Sequence, residues 1–196
     1  MIHLKSPQEL AKMEVANRIV AEVLEGIKER VAAGIETREL DELAEEMCRE
    51  RRVEPAFKGY RGYPKSLCIS VNDEIVHGIP GPRRLKTGDL VSLDFGVKYQ
   101  GYYGDAALTV AVGEVTPQAR SLMEVTEKAL YAGIEQVKVG KHLTDISHAV
   151  QTVVEGAGFG VIREFVGHGI GRSLHEDPQI PNFGPPGRGR VLEAGM

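Results

Sequence analysis

Several things are scarce in this sequence, and each scarcity narrows the reading. No apolar stretch is long enough to cross a membrane. The opening residues, Met1-Ile2-His3-Leu4-Lys5-Ser6-Pro7, hold no apolar core of the kind a secretory signal needs. Cysteine occurs only as Cys48 and Cys68, without metal-knuckle spacing, so two reduced thiols of a cytoplasmic protein are expected. Basic residues form no long run and the formal net charge is −4, which argues against a dedicated nucleic-acid surface. What is present is an ordinary globular composition, 42% hydrophobic over 196 residues, enough for one domain or two small halves around a core.

Ser6-Pro7-Gln8-Glu9 has the composition of a helix start, with Pro at the first helical position and Glu three residues after the cap. Apolar residues then recur with a helical period at Met13, Ala16, Ile19, Val20, Val23, Leu24 and Ile27. Gly34 ends that region, and Thr37 is the expected cap of a second helix carrying Leu40, Leu43, Ala44 and Met47. Residues 67–72, 90–97 and 105–112 are predicted strands, the last two joined through a turn region from Lys98 to Gly104.

The plan recurs. Thr116-Pro117-Gln118 is a second helix start, and at an offset of 106 residues Val23 meets Ala129, Leu24 meets Leu130, Gly34 meets Gly140 and Leu40 meets Ile146. The expected organisation is one domain, 1–196, made of pseudo-repeat halves of about 1–113 and 114–196. Leu85-Lys86-Thr87-Gly88-Asp89 leads into the strand of Asp94, and Leu192-Glu193-Ala194-Gly195-Met196 has the same form. A second strand pair with its own acidic residues is therefore expected to follow, and the chain reads as ending before it.

Asp94 and Asp105 lie on the two strands that flank the turn. In an antiparallel pair closed by an even-length loop, residues whose numbers sum to an odd value share a face, and these two qualify. Two adjacent carboxylates repel, and a divalent cation removes the conflict. The bland alternative is that both cap the hairpin or sit in solvent. Histidines supply further candidates. His168 stands between glycines in Gly167-His168-Gly169-Ile170-Gly171, and glycine lets backbone pass close to a bound group. His175 follows seven residues on, in a strand-then-loop setting rather than at the i, i+4 spacing of helical zinc proteases. His77 precedes a turn in His77-Gly78-Ile79-Pro80. His3, His142 and His148 read as surface or structural residues.

These residues, with Gly59-Tyr60-Arg61-Gly62-Tyr63-Pro64-Lys65-Ser66 and Cys68-Ile69-Ser70-Val71-Asn72, give the chain an end-to-end resemblance to the methionine aminopeptidases of the bacterial type I class. The resemblance implies an α/β (α+β) fold, the pseudo-twofold "pita-bread" architecture, with its C-terminal strands missing. It implies two divalent metal ions (Co, Mn, Fe or Zn) held by two Asp, one His and two Glu. Asp94, Asp105 and His168 match the first three, with Asp105 bridging, and the glutamates would lie beyond Met196. His77 and His175 match catalytic, substrate-contacting histidines, and Tyr60, Tyr63 and Cys68 match the pocket for the methionine side chain. Phe57 and Leu174 fall where that pocket varies.

The implied reaction is metal-dependent removal of the N-terminal methionine of nascent polypeptides when the second residue is small. A cytoplasmic monomer meeting its substrate at the ribosome, with no membrane contact, is expected. Residues 1–196 by themselves are expected to be inactive, having three of five ligands. The rival readings are a non-catalytic peptide- or protein-binding member of the same fold and a proline-specific peptidase. The intact set of Asp and His argues against the first, and the tyrosine-rich motif against the second.

Overall fold

A computed structural model describes residues 2–196. The described residues divide into two compact units, the first of residues 8–116 with 171–174, the second of residues 2–7, 117–170 and 175–196.

The first unit is a helix pair on an antiparallel sheet. Helix α1 (Pro7–Lys28) starts at the predicted proline and buries Ala16, Val20, Val23, Leu24 and Ile27 along one face. Helix α2 (Thr37–Arg51) buries Leu40, Ala44 and Cys48. Its cap differs from the one expected. Glu36, not Thr37, is the N-cap, and it forms a capping box with Glu39, whose Oε1 accepts the Glu36 N–H at 2.8 Å. Thr37 is drawn off by Gly81: its hydroxyl donates to the Gly81 carbonyl at 3.1 Å and accepts the Gly81 N–H at 2.9 Å.

The sheet is built on strand β3 (Leu90–Tyr99). Strands β1 (Glu54–Pro55), β2 (Leu67–Val71) and β4 (Tyr102–Ala111) all pair with it antiparallel. The turn between β3 and β4 is tighter than expected. Tyr99 pairs with Tyr102, so only Gln100 and Gly101 turn, and residues 98–99 and 102–104 belong to strands. Odd-numbered residues of β2 and β3 (Leu67, Ile69, Val71, Val91, Leu93, Phe95, Val97) join the buried residues of α1 and α2 in one core. By the alternation of strand side chains, Cys68, Ser70, Ser92 and Asp94 then share the other face.

Asp41 ties α2 to the start of β2. Its buried carboxylate accepts the N–H groups of Ser66 and Leu67 at 2.8 and 3.0 Å, and Lys65 lies 3.2 Å away. Asp41→Ala strands two buried donors, so a loss of about 2–3 kcal/mol in urea unfolding is expected. A loss within about 0.5 kcal/mol, the range of an ordinary surface change, would show that water replaces the carboxylate.

In the second unit, α3 (Pro117–Ile134) and α4 (Leu143–Gly156) form the helix pair. Strands β5 (Gly167–Gly169) and β6 (Glu176–Ile180) form a two-stranded antiparallel sheet with an irregularity between His168 and Gly169. Glu176-Asp177-Pro178 reads as loop in the sequence, yet it is strand, as an edge strand can take a proline. His142 is the N-cap of α4 and closes a capping box with Asp145.

Local patterns recur between the units. The Gly34 N–H donates to Leu85 O and that of Gly140 to Leu192 O, at 2.8 and 3.0 Å. The Leu85 N–H returns to Ile35 O and that of Leu192 to Lys141 O, at 2.9 and 2.7 Å. Capping boxes at Glu36–Glu39 and His142–Asp145 stand 106 residues apart. Burial recurs in part: Val23 and Ala129 are both buried, at 0% and 2% exposed, whereas Leu24 is 3% exposed and Leu130 is 55% exposed.

Candidate metal centre and substrate pocket

The register of the β3–β4 hairpin fixes the carboxylates. Asp94 lies opposite Ala107 and Asp105 opposite Gly96, which makes the two acids diagonal neighbours on one face. Asp105 is thus a strand residue and not a turn residue. The Asp94 carboxyl is pushed up to about 7, first by its burial, then by the charge of Asp105 and a hydrogen bond with it. Two half-buried acids held this way cannot both ionise at low cost, and oxygen donors on rigid strands suit a hard divalent cation. The donor set therefore fits a metal.

Cys68 sits directly across β2–β3 from Asp94. Burial pushes its thiol up to about 12, so it is an uncharged, packed group and not a thiolate nucleophile. Tyr63 lies beside it, its hydroxyl 3.1 Å from Leu67 O and 2.9 Å from Gly78 O. Burial, more than its hydrogen bond with Cys68, raises its phenol above the usual range. Tyr60 begins the short 3-10 turn Tyr60–Gly62, with the Arg61 guanidinium 5.4 Å from its ring centroid. Phe57 is buried. His77 is exposed on the loop after β2, with φ of +60°.

The second unit brings His168 and His175 together, with ring centroids 4.2 Å apart and planes tilted by 39°. His168 Nδ1 lies 2.9 Å from the carbonyl of Gly169. A carbonyl only accepts, so Nδ1 carries the proton and the ring's lone pair is on Nε2, the tautomer a metal-ligating histidine needs. Gly169 is required there, because a Cβ would stand 2.3 Å from Asp177 O. Glu176, next after His175, is held by the buried Lys5 ammonium at 3.1 Å. That anchor has no short motif around it, and the sequence did not disclose it.

Within the first unit Asp94, Asp105 and Cys68 share one sheet face with Tyr63 beside them, and within the second His168 and His175 lie together. Among the described residues no three His, Cys, Asp or Glu side chains form a metal-holding cluster. No described helix is long and apolar enough to cross a membrane.

The pattern matches a known class of metal-dependent hydrolases. Residues 11–196 match the family model described as metallopeptidase family M24. A methionine aminopeptidase of Bacillus subtilis is 51% identical over all of this chain and 79% of its own length. One from Clostridium perfringens is 50% identical over the same shares. The crystal structure of methionine aminopeptidase from Thermotoga maritima superposes with a TM-score of 0.98 at 48% identity, covering all of this chain and 79% of that one. A prolidase from Pyrococcus horikoshii superposes with a TM-score of 0.85 at 25% identity, over 98% of this chain and 53% of that one. The chain belongs to metallopeptidase family M24 and, within it, to the methionine aminopeptidases. Its fold is the pita-bread fold of that family, its chemistry is hydrolysis, and the aminopeptidase reading prevails over the proline-specific one.

Proposed function

We propose that this protein removes the N-terminal methionine of nascent polypeptides whose second residue is small, in the cytoplasm and as a monomer that meets its substrate at the ribosome. The observation that carries the reading is the Asp94–Asp105 pair, two carboxylates in conflict on one sheet face of a metallopeptidase chain. Asp94, Asp105 and His168 are the residues of this chain that would hold two divalent metals (Co, Mn, Fe or Zn). When bound, such cations supply Lewis acidity at neutral pH.

The chain's own residues do the rest. His175 donates a hydrogen bond to the scissile carbonyl oxygen, which strengthens as that oxygen gains negative charge. His77 holds the peptide beyond the scissile bond. Tyr60, Tyr63 and the uncharged Cys68 offer an apolar, polarisable wall for a thioether side chain.

The test is methionine release from a Met-Ala-Ser peptide with Mn²⁺ or Co²⁺. It is run on residues 1–196 and on the same chain joined to the part of the Bacillus subtilis relative that it does not match. The joined chain is expected to release methionine from Met-Ala-Ser but not from a Met-Lys-Ser peptide and to leave an Ala-Pro dipeptide uncut, while residues 1–196 alone stay silent. Cleavage of the Ala-Pro dipeptide would favour the proline-specific reading. Tight peptide binding with no turnover by either preparation would favour the non-catalytic one.

A further inference from the structure

His77 is held in the left-handed region, at φ +60°. A residue with a Cβ stays there only when its surroundings over-determine it. The next residue, Gly78, is itself closely held. Its carbonyl oxygen accepts the Ile69 N–H at 2.9 Å and lies 2.9 Å from the Tyr63 hydroxyl. Its N–H donates to Ser70 Oγ at 3.1 Å. A Cβ on residue 78 would stand 2.1 Å from Ile69 O, so the backbone is pressed against the free edge of β2. Ser70 itself is buried, 4% exposed, and points from the same face as Cys68 and Asp94.

The Gly78 carbonyl and N–H are therefore engaged, the N–H by the Ser70 hydroxyl and the carbonyl by the Ile69 N–H and by the Tyr63 hydroxyl, whose one proton is shared with Leu67 O at 3.1 Å. Neither hydroxyl is needed to close the sheet, since the Ile69 N–H bond already does that. We infer that the Ser70 and Tyr63 hydroxyls form a clamp that positions His77, so that Ser70 is a positioning residue and Tyr63 has this role besides lining the pocket. The inference rests on the reading of His77 as a substrate-contacting residue.

Tyr63→Phe and Ser70→Ala each remove one hydroxyl and leave the packing in place. In residues 1–196, hydrogen exchange at the Gly78 amide speeds up about tenfold in each variant and about a hundredfold in the double variant, relative to the amides of β3. Unchanged exchange at Gly78 in all three overturns the clamp. Kinetics are read in the preparation that releases methionine, with His77→Ala alongside. A misplaced His77 lowers kcat, by up to about a hundredfold for a shift of the order of an ångström, whereas loss of a pocket contact raises KM. Ser70→Ala is expected to lower kcat with KM little changed. In the His77→Ala background both hydroxyl substitutions lose their effect on kcat, because the group they act through is gone. Full additivity there refutes the inference and leaves the reading of His77 standing. Unchanged turnover in His77→Ala refutes that reading, and the exchange result still decides the clamp.

Discussion

Stripped of divalent metal, the protein is expected to lose stability as the pH rises from about 4 to about 7, through Asp94. Its carboxyl titrates near 3.8 in an unfolded chain and at about 7 in the fold, because burial and the neighbouring Asp105 penalise the charge. Below pH 3.8 both states hold the proton, and the contribution is fully present. As the pH rises the unfolded state releases its proton first. Stability drains until the folded carboxyl also ionises, a loss on the order of 2–4 kcal/mol. Glu45, held low by Lys58, and Asp145, held low by the His142 N–H, slope the other way. The Asp94 contribution is therefore the difference between the protein and its Asp94→Asn variant in urea unfolding at about pH 4 and about pH 8. In chelator the variant should be the more stable of the two at the higher pH. With excess Mn²⁺ the order should reverse, because a cation that binds only the folded carboxylate pair stabilises by mass action. Equal pH slopes for the protein and the variant would mean that the two carboxylates are not in conflict.

That conflict was legible in the sequence because strand alternation and an odd index sum are arithmetic. They needed only that the hairpin be regular, and Tyr99 pairing with Tyr102 makes it so. The helix faces were legible for the same reason, since α1 buries Val20, Val23, Leu24 and Ile27 as the period requires. The cap of α2 was not. Thr37 has the better capping chemistry, but its hydroxyl is committed 44 positions away at Gly81, a non-local bond that local sequence does not reveal. Strand β6 was hidden by Pro178, and the Lys5–Glu176 anchor by a separation of 171 residues. The roles of the histidines came from family likeness. The pairing of their rings at 4.2 Å could not have come from spacing, since it depends on the irregular register between β5 and β6.

The same ring pair sets the sharpest division of labour in the proposed site. His175→Ala should lower kcat by about 10²–10³, the usual cost of one donor to a developing oxyanion, while metal content stays at the parental level. His168→Ala should instead lose metal and, with it, all turnover. The two rings lie side by side and differ in what fixes them. The Gly169 carbonyl holds the proton of His168 on Nδ1, which commits Nε2 to accepting, as a ligand must. His175 is exposed just before β6, next to Glu176 and its Lys5 anchor. Metal content by elemental analysis after dialysis, paired with methionine release, separates the roles. Metal lost from His175→Ala would make it a ligand. Metal retained in His168→Ala with turnover reduced only tenfold or so, the scale of an indirect contact to the metal, would remove His168 from the ligand set and leave the sheet carboxylates to hold the cation with other donors.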